Sequence, residues 1–190
     1  MTESSGAVRL HDRTFRPFIG AEAIAARIAE LGPALEARLR GLGALAAERA
    51  PLFVGVLNGA AIFHADLTRA CGFGLEIAYL RTRSYRGMRS TGAVDVEWPT
   101  GTAFAGRHVV VVEDIVDSGL TLATLTAALR DERHAASVTT VVLLDKPAAR
   151  TSAFEPEFAG FEIEDRFVVG YGLDYDGLGR NLAGVYQVEG

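Results

Sequence analysis

The sequence predicts an α/β fold with a central parallel β-sheet, and three observations support that prediction. Apolar runs at 52–57 (LFVGVL), 109–112 (VVVV) and 137–144 (SVTTVVLL) are typical of strands buried on both faces of a parallel sheet. Stretches with helical spacing separate the runs, and strand–helix–strand repeats favour parallel strands joined by right-handed crossovers. With 190 residues and a hydrophobic content of 49%, the chain is also large enough for a domain with its own core.

The first fifty residues are expected to be helical. Apolar side chains recur there at near-helical spacing, and Gly32-Pro33 interrupts the pattern. The stretch 34–50 is rich in Ala, Leu, Glu and Arg, which favour helix, so it predicts a second helix. The apolar positions of the first helix are Ile19, Ile24, Ile28 and Leu31.

Glycine and asparagine separate the later elements. Asn58-Gly59 favours a turn out of the strand at 52–57 into a helix, and Gly72 ends that helix. The stretch 81–92 (RTRSYRGMRSTG) has four arginines, two glycines and no apolar period, so it predicts a mobile loop. The other elements expected are a helix over 60–70, a strand over 75–80, a helix over 120–130, an irregular stretch over 151–160 and a short strand over 166–171.

Composition argues against several classes of function. A net charge of −5 argues against nucleic-acid binding, which needs a basic face. Cys71 is the only cysteine, so neither an internal disulfide nor a cysteine-rich metal site is expected. No run of 18 apolar residues is present, and residues 1–15 lack the basic and apolar regions of a secretory signal. We therefore expect a cytoplasmic protein without a membrane partner.

The segment 109–119 (VVVVEDIVDSG) is the most informative part of the chain. Three acids, Glu113, Asp114 and Asp117, follow the valine run, at the strand end where α/β folds bind ligands. Carboxylates there suit sugar hydroxyls or Mg²⁺. Ser118-Gly119 then opens a helix, whose first N–H groups and dipole favour a phosphate. The pattern therefore predicts a site for a phosphorylated sugar.

The segment VVVVEDIVDSGLT (109–121) resembles the phosphoribosyl pyrophosphate (PRPP) motif of type I phosphoribosyltransferases, and the form EDIVDSG is similar to the hypoxanthine (guanine) branch. The resemblance implies a type I phosphoribosyltransferase-like fold, in which helices flank the parallel sheet and the terminal segments form a small hood. It implies a single domain over 1–190. The parts of that domain would be an N-terminal helical segment (1–50), a PRPP-binding core (51–150) and a purine-binding hood (151–190).

The resemblance also implies roles for the residues of this motif. Glu113 and Asp114 would hold the ribose hydroxyls or Mg²⁺. Asp117 would lie beside N7 of the purine and accept the proton that is lost as N9 attacks ribose C1. The residues that would bind the 5′-phosphate through N–H and hydroxyl groups are Ser118, Gly119, Leu120 and Thr121.

Two segments before the motif are similar to the same family. In Leu57-Asn58-Gly59 the resemblance implies a backbone that binds pyrophosphate and a cis peptide bond, although Asn58 stands where the family often has Lys. Ser84 and Tyr85 resemble the Ser-Tyr pair of the family's flexible lid, which excludes water from the reacting ribose. Taken alone, the first segment would be a plain turn and the second a solvated loop.

Lys146, in LLDKPAAR, stands where the family places a lysine against O6 of the purine. A lysine donor suits a 6-oxo group and opposes the 6-amino group of adenine, which is itself a donor. The resemblance therefore implies a preference for 6-oxopurines. Arg150 would line the same pocket.

The segment 167–182 (FVVGYGLDYDGLGRNL) is the second long match. The resemblance implies that Phe167 stacks on the purine and that Val168 binds its edge through backbone groups. Asp174, on the purine side, would hold a second Mg²⁺, and Arg180 would bind pyrophosphate. Arg166 stands where many relatives have Lys.

The implied reaction joins hypoxanthine, and guanine as well, to ribose C1 of PRPP and releases pyrophosphate, with Mg²⁺ as cofactor. The implied assembly is a homodimer or homotetramer. Four alternatives remain: a xanthine–guanine enzyme, an adenine enzyme, a non-catalytic PRPP-binding regulator, and a subunit that only assembles with a partner. Lys146 argues against the adenine enzyme, the acidic balance argues against a regulator that binds RNA, and Asp117 with Lys146 argues against the inactive subunit.

Overall fold

The computed structural model describes residues 6–84 and 94–189, which form ten strands and three α-helices. In chain order the strands are Val8–Leu10 (β1), Arg13–Ile19 (β2), Leu52–Leu57 (β3), Glu76–Ser84 (β4), Val94–Glu97 (β5), His108–Val116 (β6), Ser137–Asp145 (β7), Phe158–Glu162 (β8), Val168–Val169 (β9) and Val185–Val188 (β10). The α-helices are Ala21–Gly41 (α1), Ala61–Ala70 (α2) and Leu120–Asp131 (α3), and short 3-10 helices lie at Ala44–Ala46 and Pro147–Ala149.

The main body is a six-stranded sheet in the order β5-β4-β3-β6-β7-β8. Its strands run parallel except for β5, which pairs antiparallel with β4 at one edge. The valine run of β6 is fully buried at the centre. Val110 and Val112 pack in the core with α1, whereas Val109 and Val111 pack in the core with α3. This arrangement confirms the predicted α/β fold with a central, mostly parallel sheet.

A single helix, α1, replaces the two helices expected before residue 50. It runs through Pro33, and Gly32 packs so closely on α2 that an added Cβ would lie 2.5 Å from the Ala70 carbonyl oxygen. A proline inside a helix costs about 3 kcal/mol, whereas burial of one Leu or Ile side chain contributes about 1.5–3 kcal/mol. Packing therefore outweighs the proline. The large apolar side chains that α1 buries are Ile24, Ile28, Leu31, Leu35 and Leu39.

A smaller antiparallel sheet, in the order β1-β2-β10-β9, joins the two ends of the chain. The expectation of a helical N-terminal segment is therefore wrong for residues 8–19, which form β1 and β2. In β2 (RTFRPFI) only Phe15 is fully buried, so the strand has a weak hydrophobic pattern. Its partner β10 lies more than 160 residues away, at 185–188, and the pairing leaves no local signal in the sequence.

Three boundaries also differ from the expectation. β6 continues through the acids to Val116, because Ile115 and Val116 pair with Leu144 and Asp145 of β7. β4 extends to Ser84 and pairs with β5, so residues 81–84 are strand rather than loop. β8 lies partly within the stretch that was expected to be irregular. None of the helices in the described residues is long and apolar enough to cross a membrane.

Candidate active site

A cleft of about 380 Å³ lies beside the carboxyl ends of β4 and β6. Thr82 of β4 lines one side, a residue that the sequence analysis assigned to a mobile loop. The β6 side carries the predicted sugar-phosphate residues, because parallel strands end at one edge of the sheet and the helix α3 starts there. The predicted site residues that line the cleft are Glu113, Asp117, Ser118, Gly119 and Thr121.

Glu113 and Asp114 lie side by side at the end of the buried strand. Glu113 is only 8% exposed, and burial raises its pKa well above the ordinary value for a glutamate; the charge of Asp114 raises it further. The Asp114 carboxylate packs against Gly59, where an added Cβ would lie 1.7 Å from Oδ2. Glycine at 59 is therefore needed for β3 and β6 to present their ends as one surface.

The turn into α3 has the geometry of a phosphate site. Gly119 caps the helix with φ of +79°, a conformation that other residues rarely adopt, and Ala123 is the first residue to donate back, to the Gly119 carbonyl at 2.9 Å. The N–H groups of the first turn have no partner within the helix itself, and the Leu120 N–H donates to the Ser118 hydroxyl outside it at 3.4 Å. The Ser118 carbonyl accepts hydrogen bonds from the Ser152 N–H and hydroxyl, at 3.2 and 2.9 Å, which hold the turn in place.

Asp117 and Lys146 meet at the cleft. The Lys146 side chain is 7% exposed, and its Nζ lies 2.8 Å from Asp117 Oδ1 and 3.5 Å from Asp165 Oδ1. The Lys146 N–H also donates to the Val116 carbonyl at 2.9 Å, which ties the end of β7 to the end of β6. The structure therefore joins the predicted proton acceptor to the predicted O6 donor, and it adds Asp165, which the sequence analysis did not identify.

Residues 57–59, which are predicted to bind pyrophosphate, contact the C-terminal segment closely through the backbone. The Leu57–Asn58 peptide bond is cis. Gly172, with φ of +103°, packs on the Gly59 carbonyl oxygen, where an added Cβ would lie 2.0 Å away. Arg180 Nη1 donates to the Gly172 carbonyl at 2.7 Å. Arg180 is thus held close to the segment where the resemblance places pyrophosphate.

Asp174 is paired with Arg180. The Arg180 Nη2 lies 2.6 Å from Asp174 Oδ1, and the Gly177 N–H donates to Oδ2 at 2.7 Å. Within the described ranges, no three His, Cys, Asp or Glu side chains lie close enough together to hold a metal ion. The proposed metal ligands Glu113, Asp114 and Asp174 therefore do not form one cluster in the protein alone.

Phe167 is the exposed member of an aromatic cluster. Its ring is 43% exposed and lies 6.2 Å from the Phe15 centroid and 5.7 Å from the Tyr175 centroid. Val168 follows in β9, and its side chain is buried. Phe15 comes from the N-terminal strand β2, so this contact could not be found from the C-terminal motif alone.

The remaining predicted residues are placed as follows. Ser84 is the last residue of β4, and Tyr85 lies outside the described residues, as does most of the expected lid. Arg150 pairs with Asp145 and lies against the turn at Gly119, so it supports that turn.

Comparisons with known proteins agree with this geometry. Residues 24–176 match the family model described as phosphoribosyl transferase domain. The hypoxanthine-guanine phosphoribosyltransferase of Bacillus subtilis is 40% identical over 165 residues, which is 86% of this chain and 87% of that protein. A crystal structure of a hypoxanthine phosphoribosyltransferase from Staphylococcus aureus is similar with a TM-score of 0.82 and 34% identity, over 92% of this chain and 91% of that chain.

Some relatives are much longer. The bifunctional protein TilS/HprT of Listeria innocua is 39% identical over 178 residues, which is 93% of this chain, but this chain spans only 26% of that protein. The region that matches the family model includes the end of β6, the turn into α3 and Lys146. The chain therefore belongs to the phosphoribosyltransferase family, in its hypoxanthine-guanine branch.

Proposed function

We propose that this protein transfers the 5-phosphoribosyl group of PRPP to hypoxanthine and guanine, giving IMP or GMP and pyrophosphate in purine salvage. The observation that carries the proposal is the pairing of Asp117 with the buried Lys146 at 2.8 Å, at the edge of a cleft that ends in a phosphate turn.

The spacing of this pair matches one edge of a 6-oxopurine. O6 and N7 are neighbouring atoms on that edge, so two groups must reach it side by side. The Lys146 ammonium donates to O6, and the Asp117 carboxylate accepts the proton of N7. As N9 forms its bond to ribose C1, the C1–oxygen bond to pyrophosphate breaks and the N7 proton passes to Asp117. The pair therefore combines base selection with proton removal.

The rest of the cleft would bind PRPP. The turn 118–121 receives the 5′-phosphate at the N-terminus of α3, and Glu113 with Asp114 receives the ribose hydroxyls. The backbone at 57–59 and the guanidinium of Arg180 bind the pyrophosphate. These groups fix C1 near Asp117, which orients the reacting atoms before the transfer.

The donor set also fits Mg²⁺. Carboxylate oxygens are the ligands that Mg²⁺ prefers, and the raised pKa of Glu113 is the electrostatic situation that a nearby cation relieves. Bound with PRPP, Mg²⁺ supplies positive charge that neutralises the departing pyrophosphate. Glu113 and Asp114 would hold one ion and Asp174 a second, each with further oxygens from the substrate.

A panel of bases tests the function. Purified protein with PRPP and Mg²⁺ is assayed by absorbance with hypoxanthine, guanine, xanthine and adenine. Hypoxanthine and guanine should be turned over, and adenine should be slower by at least about 100-fold, because it would leave the Lys146 ammonium facing another donor. Comparable rates with adenine would contradict the base assignment. Fast turnover of xanthine would favour the xanthine–guanine alternative, and PRPP binding without turnover would favour a regulator.

We also propose a homodimer or homotetramer in the cytoplasm, without a nucleic-acid or membrane partner. Ile77 and Tyr79 expose apolar surface on β4, of the kind that a contact between copies covers. Light scattering of the purified protein should give at least twice the mass of one chain, and a monomer would contradict the assembly.

A further inference from the structure

We propose that Asp165 is a positioning residue that holds Lys146 in place while Asp117 accepts the proton from the purine. This inference rests on the proposed function and adds a residue with no assigned role. The feature behind it is that one buried ammonium has two carboxylate neighbours, of which the reaction uses only one.

The two carboxylates differ in distance. Lys146 Nζ lies 2.8 Å from Asp117 Oδ1 but 3.5 Å from Asp165 Oδ1, so Asp117 is the main partner in the protein without ligands. Both carboxylates are more than half exposed, whereas the lysine side chain is 7% exposed. A cation that is buried to this extent needs an anionic or hydrogen-bonding partner at every stage.

During the reaction, Lys146 loses part of its contact with Asp117. To accept the N7 proton, the Asp117 carboxylate must turn toward the purine, which weakens its hydrogen bond to Lys146. At that stage Lys146 Nζ keeps one N–H for O6 and needs another acceptor for its charge. Asp165 is already within reach, and a small movement of Nζ would shorten the 3.5 Å contact to a hydrogen bond.

The backbone holds both Asp165 and Asp117 close to Lys146. The Ile163 N–H donates to the Asp145 carbonyl at 2.8 Å, so the turn that carries Asp165 is attached to the residue directly before Lys146. The Arg166 N–H closes that turn by donating to the Glu164 carbonyl at 2.8 Å. Asp117 is attached in a similar way, because the Lys146 N–H donates to the Val116 carbonyl at 2.9 Å, so only the Asp117 side chain has to turn toward the purine. Asp165 can therefore stay with Lys146 when Asp117 moves.

Loss of Asp165 should slow the transfer through Lys146. In Asp165→Asn, the ammonium keeps Asp117 as its only carboxylate partner of the two, so the carboxylate that must accept the proton is held back. We expect kcat with hypoxanthine to fall by about 10–100-fold, by analogy with the loss of a group that orients a metal ligand. The KM for PRPP should change less than about 2-fold, because Asp165 lies on the purine side.

A double-mutant cycle with steady-state kinetics tests this route. Asp165→Asn is measured alone and in a Lys146→Met background, with Glu164→Gln as the matched control on the same turn. The expected result is a large loss in the wild-type background, less than about 2-fold further loss in the Lys146→Met background, and near wild-type rates for Glu164→Gln. Asp165→Glu should restore most of the lost kcat, and thermal denaturation checks that each variant is folded.

Two results would overturn the inference while leaving the proposed function intact. One is a kcat for Asp165→Asn equal to that of Glu164→Gln. The other is the same fold-loss with and without Lys146, which would show that Asp165 does not act through the lysine. If the wild-type protein itself failed to convert hypoxanthine to IMP, the proposed function would be wrong and this inference would fall with it.

Discussion

The proposed substrate site has two parts, here called walls, and they are supported in different ways. The ribose–phosphate wall, residues 113–121, begins in the central strand β6 and ends in the first turn of α3. The base wall comprises Lys146, the turn 163–166 and Phe167. Lys146 and this turn follow β7 and β8 of the main sheet, whereas Phe167 directly precedes β9 of the smaller sheet, whose strands come from both ends of the chain. The first wall is one continuous stretch on the main sheet, and the second combines residues that adjoin both sheets.

This difference in support predicts a difference in rigidity between the two walls. The strand under the ribose–phosphate wall is fully buried at Val109 to Val112, whereas Phe167 is 43% exposed and contacts its aromatic neighbours at 5.7–6.2 Å. Elements with less buried apolar contact open more readily. We therefore expect a rigid wall for the sugar phosphate, which both substrate bases share, and a more adaptable wall for the base, which varies.

The largest effect is expected at Asp117, which belongs to the first wall and contacts the second. In Asp117→Asn the amide cannot take the N7 proton, so kcat should fall by about 10²–10⁴-fold, the usual range for a general base. The KM for PRPP should stay nearly unchanged, because the phosphate turn is intact. Single-turnover kinetics measure the transfer step directly, and Asp131→Asn, at the far end of α3, is the control. Transfer at the wild-type rate would show that Asp117 is not the base.

The next largest effect is expected at Phe167, where a substitution should weaken binding of the purine without weakening binding of PRPP. Phe167→Ala removes the exposed ring that would stack on the purine, a contact worth about 1–3 kcal/mol, so the KM for hypoxanthine should rise by about 5–150-fold. The KM for PRPP should not follow it. Phe18→Ala is a matched control, because Phe18 is 42% exposed and lies in the same small sheet. Equal rises in the KM for hypoxanthine and the KM for PRPP would show that the two walls do not bind their substrates independently.

The same division explains what the sequence could predict. The ribose–phosphate wall could be predicted from the sequence because a buried strand, its acids and a helix cap follow one another within thirteen residues, 109–121. The position of Lys146 after the next buried strand was also predicted, whereas its role was implied only by the family resemblance. These features depend on local spacing and on the rule that parallel strands end at one edge.

The base wall was predicted only in part because its contacts are distant in sequence. Phe15 meets Phe167 across 152 residues, and β2 has too few buried residues to be recognised as a strand. Asp165 has no motif, and only the folded chain brings it to Lys146. Pro33 misled the N-terminal prediction, because the packing of α1 on its neighbours decides the outcome rather than the local propensity.

The smallest expected effect concerns the stability that the folded protein loses by burying the Glu113 carboxyl. Burial raises the pKa of Glu113 in the folded protein, so the folded state binds this proton more tightly than the unfolded chain does. The stabilising contribution is complete below the ordinary value of 4.5 and is lost as the pH rises toward the raised pKa. Glu113→Gln removes that dependence. Relative to wild type, the Tm of the variant should therefore rise between pH 4 and pH 8, by about 2–4 °C for each kcal/mol regained.

Thermal denaturation in buffer without divalent cations or PRPP gives this comparison without ligand effects, and Glu48→Gln serves as the exposed control. The variant should at the same time bind PRPP less tightly, because the carboxylate that destabilises the empty fold is the one proposed to bind the ribose hydroxyls. A pH-independent difference in Tm would show that the buried carboxyl is not the source of the cost. A higher Tm together with weaker PRPP binding would show that Glu113 strengthens PRPP binding and lowers the stability of the empty protein.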